Sequence, residues 1–168
     1  NPPSWREAKR LLEVTKRAAS KAKRVSVIVA PPAVYLRPLA KDVRGNKVEF
    51  AAQSAHFEAG GAHTGEISMR QAKDAGASYV LIGHAERRVA GESNEDTGKK
   101  VAAAFGANLV PVLCVGESAR GKDASHFETV AEQLRFGLQS IPVQKISHVI
   151  IAYEPLWAIG ASSAMSPG

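Results

Sequence analysis

Short β-branched runs alternate along this chain with longer stretches of helical periodicity. Val25-Ser26-Val27-Ile28-Val29-Ala30 is the first such run, and Pro31-Pro32 stops it. Similar runs follow at Val48 to Gln53, Tyr79 to Ile82, Leu109 to Cys114 and His148 to Tyr153. The fourth contains Pro111, a residue that ordinarily counts against a strand interior. The intervening segments read as helices. Ahead of the first run, Trp5, Ala8, Leu12 and Ala19 recur on one helical face, and Leu11, Ala18 and Ala22 widen the stripe. Ser4 with Glu7 predicts a capping box at its start, and Ser125 with Glu128 predicts another before a helix reaching about Leu138. Val34 to Val43, Ser68 to Ala75 and Asn94 to Phe105 are further helices, the last two followed by Gly76 and Gly106. Because the strand runs alternate little, burial on both faces is expected, as in a parallel sheet covered by helices. This pattern predicts one α/β domain over residues 1–168, with a doubly wound sheet and a (β/α) barrel both open.

Composition narrows the class. The chain has 168 residues, 45% of them hydrophobic, and a formal net charge of +6, which excludes intrinsic disorder. Cys114 is the lone cysteine, so a disulfide scaffold is excluded, and a reducing, cytoplasmic setting is expected. No apolar run approaches the roughly 18 residues of a membrane span, and Asn1-Pro2-Pro3-Ser4 does not read as a signal peptide. The charge is uneven: residues 1–47 carry twelve Lys and Arg against three Asp and Glu. Such a segment can face nucleic acid or an acidic membrane. It is spread over two helical segments and a turn, with no interleaved aromatics for base stacking. A solvated helix face is therefore expected, with neither nucleic acid nor membrane as partner.

Chemistry is sought where strands end, since ligands of parallel α/β folds bind at the C-terminal ends of strands. Gly83-His84-Ala85-Glu86-Arg87-Arg88 follows the third strand, Val115-Gly116-Glu117 the fourth, and Glu154-Pro155-Leu156-Trp157-Ala158-Ile159-Gly160 the fifth. His84 and Glu154 are thus expected on one rim, although 70 residues apart in sequence. A carboxylate and an imidazole suit proton abstraction beside a carbonyl, the first taking a carbon-bound proton and the second polarising the oxygen. Taken singly, each has a plain structural reading: a histidine bonded at a helix start, and a rim carboxylate paired with an arginine.

Four ordered motifs carry a resemblance. Ala152-Tyr153-Glu154-Pro155-Leu156-Trp157-Ala158-Ile159-Gly160 is similar to the active-site signature of the triosephosphate isomerases, with Leu156 where Val is usual. Ile82-Gly83-His84-Ala85-Glu86-Arg87-Arg88 resembles that family's histidine motif, with Ala85 in place of Ser. Pro111 to Glu117, and Ala52-Gln53 through Thr64-Gly65-Glu66, match in the same order and spacing. The resemblance implies a (β/α)₈ TIM barrel with about five of its eight β/α units in this chain. It implies interconversion of dihydroxyacetone phosphate and glyceraldehyde 3-phosphate, a step of glycolysis and gluconeogenesis, without cofactor or metal. It makes Glu154 the catalytic base, His84 the neutral electrophile and Gly160 a binder of substrate phosphate. It makes Glu86 a carboxylate behind the site that pairs with the family's lysine, and Cys114 a neighbour of the glutamate. Thr64, in the fourteen-residue loop Gln53–Glu66, becomes the tip that docks into a second subunit of a homodimer.

The family's opening strand, with its Asn-x-Lys motif, and its seventh and eighth strands have no counterpart within these residues. The lid departs from the usual Gly-Thr-Gly-Lys-Thr, reading Gly160-Ala161-Ser162-Ser163-Ala164. These residues alone are therefore expected to be inactive. The alternative to an isomerase is a non-catalytic relative serving as an interaction or phosphate-binding module.

Overall fold

The computed structural model describes residues 1–43, 47–119 and 125–158. By internal contacts it divides into two units, Asn1–Leu81 with Ala103–Val110, and Ile82–Ala102 with the residues from Pro111 onward.

In the first unit, helix α1 (Trp5–Lys21) starts at Ser4, which is extended and whose side-chain oxygen accepts the Glu7 N–H at 3.3 Å. The capping box is half realised: Glu7 turns its carboxylate to Arg10, at 3.8 Å, instead of returning a bond to Ser4. Ala8, Leu12 and Ala19 are buried as the periodicity predicts, whereas Trp5, Leu11 and Ala18 face solvent, so the apolar stripe is narrower than expected. Strand β1 (Val27–Val29) pairs in parallel with β2 (Val48–Ala52), with Val27 opposite Val48 and Val29 opposite Phe50. Strand β2 then pairs in parallel with β3 (Tyr79–Ile82), with Ala51 opposite Tyr79. Helix α2 (Ala33–Lys41) buries Leu36 and Leu39. Helix α3 (Met69–Asp74) has a complete capping box, in which Ser68 accepts the Gln71 N–H and the Gln71 side chain accepts the Ser68 N–H. Gly76 follows it at φ +103°, and a Cβ there would stand 2.7 Å from the Ala40 methyl, so only glycine lets this turn settle on α2.

The second unit carries helix α4 (Ala85–Val89) and most of α5 (Asn94–Gly106), whose last turn enters the first unit. Strand β4 (Val110–Val115), helix α6 (Ser125–Leu138), the short helix α7 (Val143–Ile146) and strand β5 (Ile150–Tyr153) follow, then a single 3₁₀ turn at Leu156–Ala158. Strands β4 and β5 are parallel, with Val112 opposite Ile150 and Val115 opposite Tyr153. Pro111 lies inside β4 after all: the ladder to β5 begins one residue later, at Val112, so the missing N–H is not demanded there. Gly137 brings α6 against β4, since a Cβ there would lie 2.5 Å from a Leu113 methyl.

Burial of the strands follows expectation at β2, where four of five residues are buried, and along the C-terminal half of β4. It fails at β5. Ile150, Ile151 and Tyr153 are 41%, 44% and 44% exposed, where among the described residues β5 pairs with β4 on one side. No helix among the described residues is long and apolar enough to cross a membrane.

Candidate active site

The second unit builds its site from the ends of β3, β4 and β5. His84 is the N-cap of α4, and its Nδ1 accepts the Glu86 N–H at 3.3 Å. With Nδ1 accepting, the proton of the neutral ring is assigned to Nε2. That nitrogen faces Glu154 Oε2 at 3.4 Å, longer than a normal hydrogen bond. The two side chains are 34% and 23% exposed, so a small molecule can reach both.

Glu154 is placed by backbone. Its N–H donates to the Val115 carbonyl at 2.9 Å, continuing the ladder one step beyond β5. A Cβ on Gly116 would stand 2.1 Å from the Glu154 carbonyl oxygen, so glycine is what lets these two strand ends meet. Gln133, reaching from α6, holds the Gly116 peptide on both sides, accepting its N–H at 2.8 Å and donating to its carbonyl at 3.0 Å. Cys114 is buried beneath. Burial pushes its thiol well above the ordinary range, and hydrogen bonding to Glu154 and that group's negative charge push it further. A thiol so protonated is a packing neighbour of the carboxylate and a poor nucleophile.

Glu117 has a different environment. It is 1% exposed and accepts the Trp157 indole N–H at 2.8 Å and the Tyr153 hydroxyl at 3.0 Å. Burial pushes its carboxyl up. The Trp157 bond, its own backbone N–H and the Tyr153 bond, aided by the charge of His126, outweigh that and hold it below the usual carboxylate value.

His84, Glu154 and Cys114, drawn from three separated motifs, are therefore brought together. Glu86 is exposed, and the bond it is seen to make to His84 comes from its backbone N–H. Thr64 lies in the first unit, exposed in its loop, where His56 and His63 stack with ring centres 3.9 Å apart. Gly160 lies outside the described residues, as do the lid positions after it. The sequence reading did not single out Arg88, Glu92, Glu117 or Gln133. For Glu117 the signal was its place directly after a strand; for Gln133 nothing local distinguishes it from a surface glutamine. No group of three or more His, Cys, Asp or Glu able to hold a metal occurs among the described residues.

Parallel strands alternating with helices, and a carboxylate and an imidazole that meet where two of the strands end, are features shared by a family of α/β proteins. The comparisons are specific about which. The family model for triosephosphate isomerase matches residues 3–168. The triosephosphate isomerase of Clostridium acetobutylicum is 41% identical over 156 residues, covering 92% of this chain and 62% of that protein. That of Roseiflexus castenholzii is 43% identical over 143 residues, covering 84% and 56%. The crystal structure of triosephosphate isomerase from Bartonella henselae superposes with a TM-score of 0.77 at 35% identity, covering 89% of this chain and 63% of that one. The chain belongs to the triosephosphate isomerase family, and its five parallel strands are part of a TIM barrel. It spans about three fifths of the length of the curated relatives it matches.

Proposed function

We propose that this chain is the part of a triosephosphate isomerase that supplies the proton-transfer pair. The observation that carries the reading is the meeting of His84 Nε2 and Glu154 Oε2 at 3.4 Å, at strand ends, in a chain of this family. The Glu154 carboxylate takes a proton from the carbon beside the substrate carbonyl. The C–H electron pair becomes the new C=C bond, and the carbonyl oxygen takes up negative charge. His84 donates a hydrogen bond from Nε2 to that oxygen, stabilising the enediolate as charge develops. The protonated Glu154 then returns its proton to the adjacent carbon, while the imidazole moves a proton between the two oxygens. Cys114 packs against the base, Glu86 supports His84, and Gly160 is assigned to the substrate phosphate by motif match. The substrate is a phosphorylated triose, no cofactor or metal takes part, and the setting is cytoplasmic.

The test is a coupled isomerisation assay on the full-length protein containing this segment. Glu154→Asp withdraws the base by one methylene, and misplacement of about 1 Å costs on the order of 10²-fold. The loss is expected in kcat with little change in KM. His84→Gln is expected to cost about 10²-fold. Unchanged turnover in either variant removes that residue from the chemistry. The same reading makes the full-length protein a homodimer docked through Gln53–Glu66. Deleting Gly60–Thr64 should yield monomers in sedimentation, and an intact dimer would put the interface elsewhere.

A further inference from the structure

Gly83, the residue between β3 and His84, is gripped by side chains on both sides of its backbone. Its φ is +72°, in the left-handed region that glycine enters freely and leaves as freely. Its N–H donates to Glu92 Oε1 at 3.1 Å, and its carbonyl accepts the Arg88 Nε–H at 2.8 Å. Neither grip is loose. The Arg88 guanidinium also donates to Asn94 Oδ1 at 2.8 Å and to the Cys114 carbonyl at 3.3 Å, so one planar fork ties the end of β3 to the end of β4. The Glu92 carboxylate is 3% exposed. Its second oxygen takes no hydrogen bond and is held by charge, 3.4 Å from Lys100 Nζ and 3.6 Å from Arg87 Nε. Both carboxylate oxygens are therefore engaged, one by the Gly83 N–H and one by cationic side chains. There is no slack in the pocket either: a Cβ on Gly83 would meet Arg88 Nη2 at 2.8 Å, the Cys114 carbonyl at 3.0 Å and a Thr97 methyl at 3.1 Å.

We infer that Arg88 and Glu92 are positioning residues, clamping the Gly83 peptide from opposite sides so that the His84 ring is delivered to Glu154 in one orientation. Glycine with both polar atoms free is a swivel; with both held by side chains it is a fixed joint. The swivel would sit directly before the residue whose Nδ1 must accept the Glu86 N–H for Nε2 to carry the proton. The inference rests on the reading of His84 as the electrophile, but its test needs no turnover.

Ring ¹⁵N NMR of His84, recorded on the 168-residue chain above neutral pH and assigned by loss of the signal in His84→Gln, reads the tautomer directly. The wild type should show one neutral tautomer, protonated at Nε2. Glu92→Leu with Lys100→Met removes the acceptor for the Gly83 N–H without leaving a buried lone charge, and should lose the single-tautomer signal for a mixture. Glu92→Gln with Lys100→Met restores an acceptor and should recover it, a rescue that a merely stabilising role does not predict. Arg88→Lys keeps the charge, loses the fork and should also give a mixture. A wild-type tautomer in the folded leucine double variant overturns the clamp. Should that variant not fold, an unaltered tautomer in Arg88→Lys does so. A clamp that behaves as stated, in a full-length protein that does not isomerise, leaves this inference intact and sinks the proposed function instead.

Discussion

Two carboxylates follow consecutive strands of the second unit, and the structure treats them in opposite ways. Glu117, after β4, is 1% exposed and bonded by an indole and a phenol. Glu154, after β5, is 23% exposed, shares a hydrogen bond with the Cys114 thiol and faces one imidazole nitrogen at a distance too long for a firm bond. A carboxylate whose lone pairs are filled has no capacity left for a substrate proton, and its neighbours hold it ionised. One with open lone pairs beside a proton-bearing imidazole is equipped to accept a proton and give it back. Position at a strand end is common to both, so position alone does not distinguish the proposed base; the state of the lone pairs does.

The contrast depends on the two strand ends touching, and the sharpest way to break it is through Gly116. Gly116→Ala places a methyl 2.1 Å from the Glu154 carbonyl oxygen and 2.6 Å from its carbonyl carbon, where only backbone can yield. Overpacking against rigid atoms costs about 3 kcal/mol or more here. Thermal denaturation followed by circular dichroism should show a fall in Tm of several degrees or loss of the transition. A wild-type Tm would mean that the ends of β4 and β5 stand apart.

Exchanging each carboxylate for its amide sharpens the comparison. Glu117→Gln keeps the shape but turns one acceptor into a donor facing the Trp157 N–H and Tyr153 hydroxyl, a loss of about 1–3 kcal/mol. Glu154→Gln disturbs few bonds and should leave denaturation within about 0.5 kcal/mol of wild type. In the full-length protein the expected ranking reverses for turnover, with Glu154→Gln the more damaging. Equal stability losses from the two variants would erase the distinction.

Much of this was legible in the sequence, and the remainder was hidden for identifiable reasons. Strands β2 and β4 announced themselves because they are buried on both faces, and the motifs placed His84 and Glu154 on one rim. Strand β5 has the same apolar composition yet stays exposed, because burial depends on what packs against a strand and its own residues do not encode that. The reciprocal caps at Ser68 with Gln71 and at Ser93 with Asp96 went unread, since capping boxes were expected at Ser4 and Ser125 instead. Arg88 and Glu92 looked like ordinary charges on a helix and a loop. Their partners are backbone atoms of Gly83 and Cys114, which no periodicity reveals.

The smallest effect is the pH dependence that Glu117 contributes to stability. The folded-state pKa of Glu117 is lowered, so the folded chain holds its charged form more firmly than the unfolded chain does. Such a group adds stability above its unfolded pKa of about 4.3, and the contribution disappears as pH falls through the lower folded value. Urea denaturation of the wild type and of Glu117→Gln, at pH 7 and again near pH 3, isolates the term, since every other titrating group is common to both chains. The stability gap between them should narrow on acidification by about 1 kcal/mol, the scale of a charge-assisted hydrogen bond partly lost. A gap for Glu117 that stays constant or widens in acid would mean that burial, and not the bonds from Trp157 and Tyr153, governs this carboxyl.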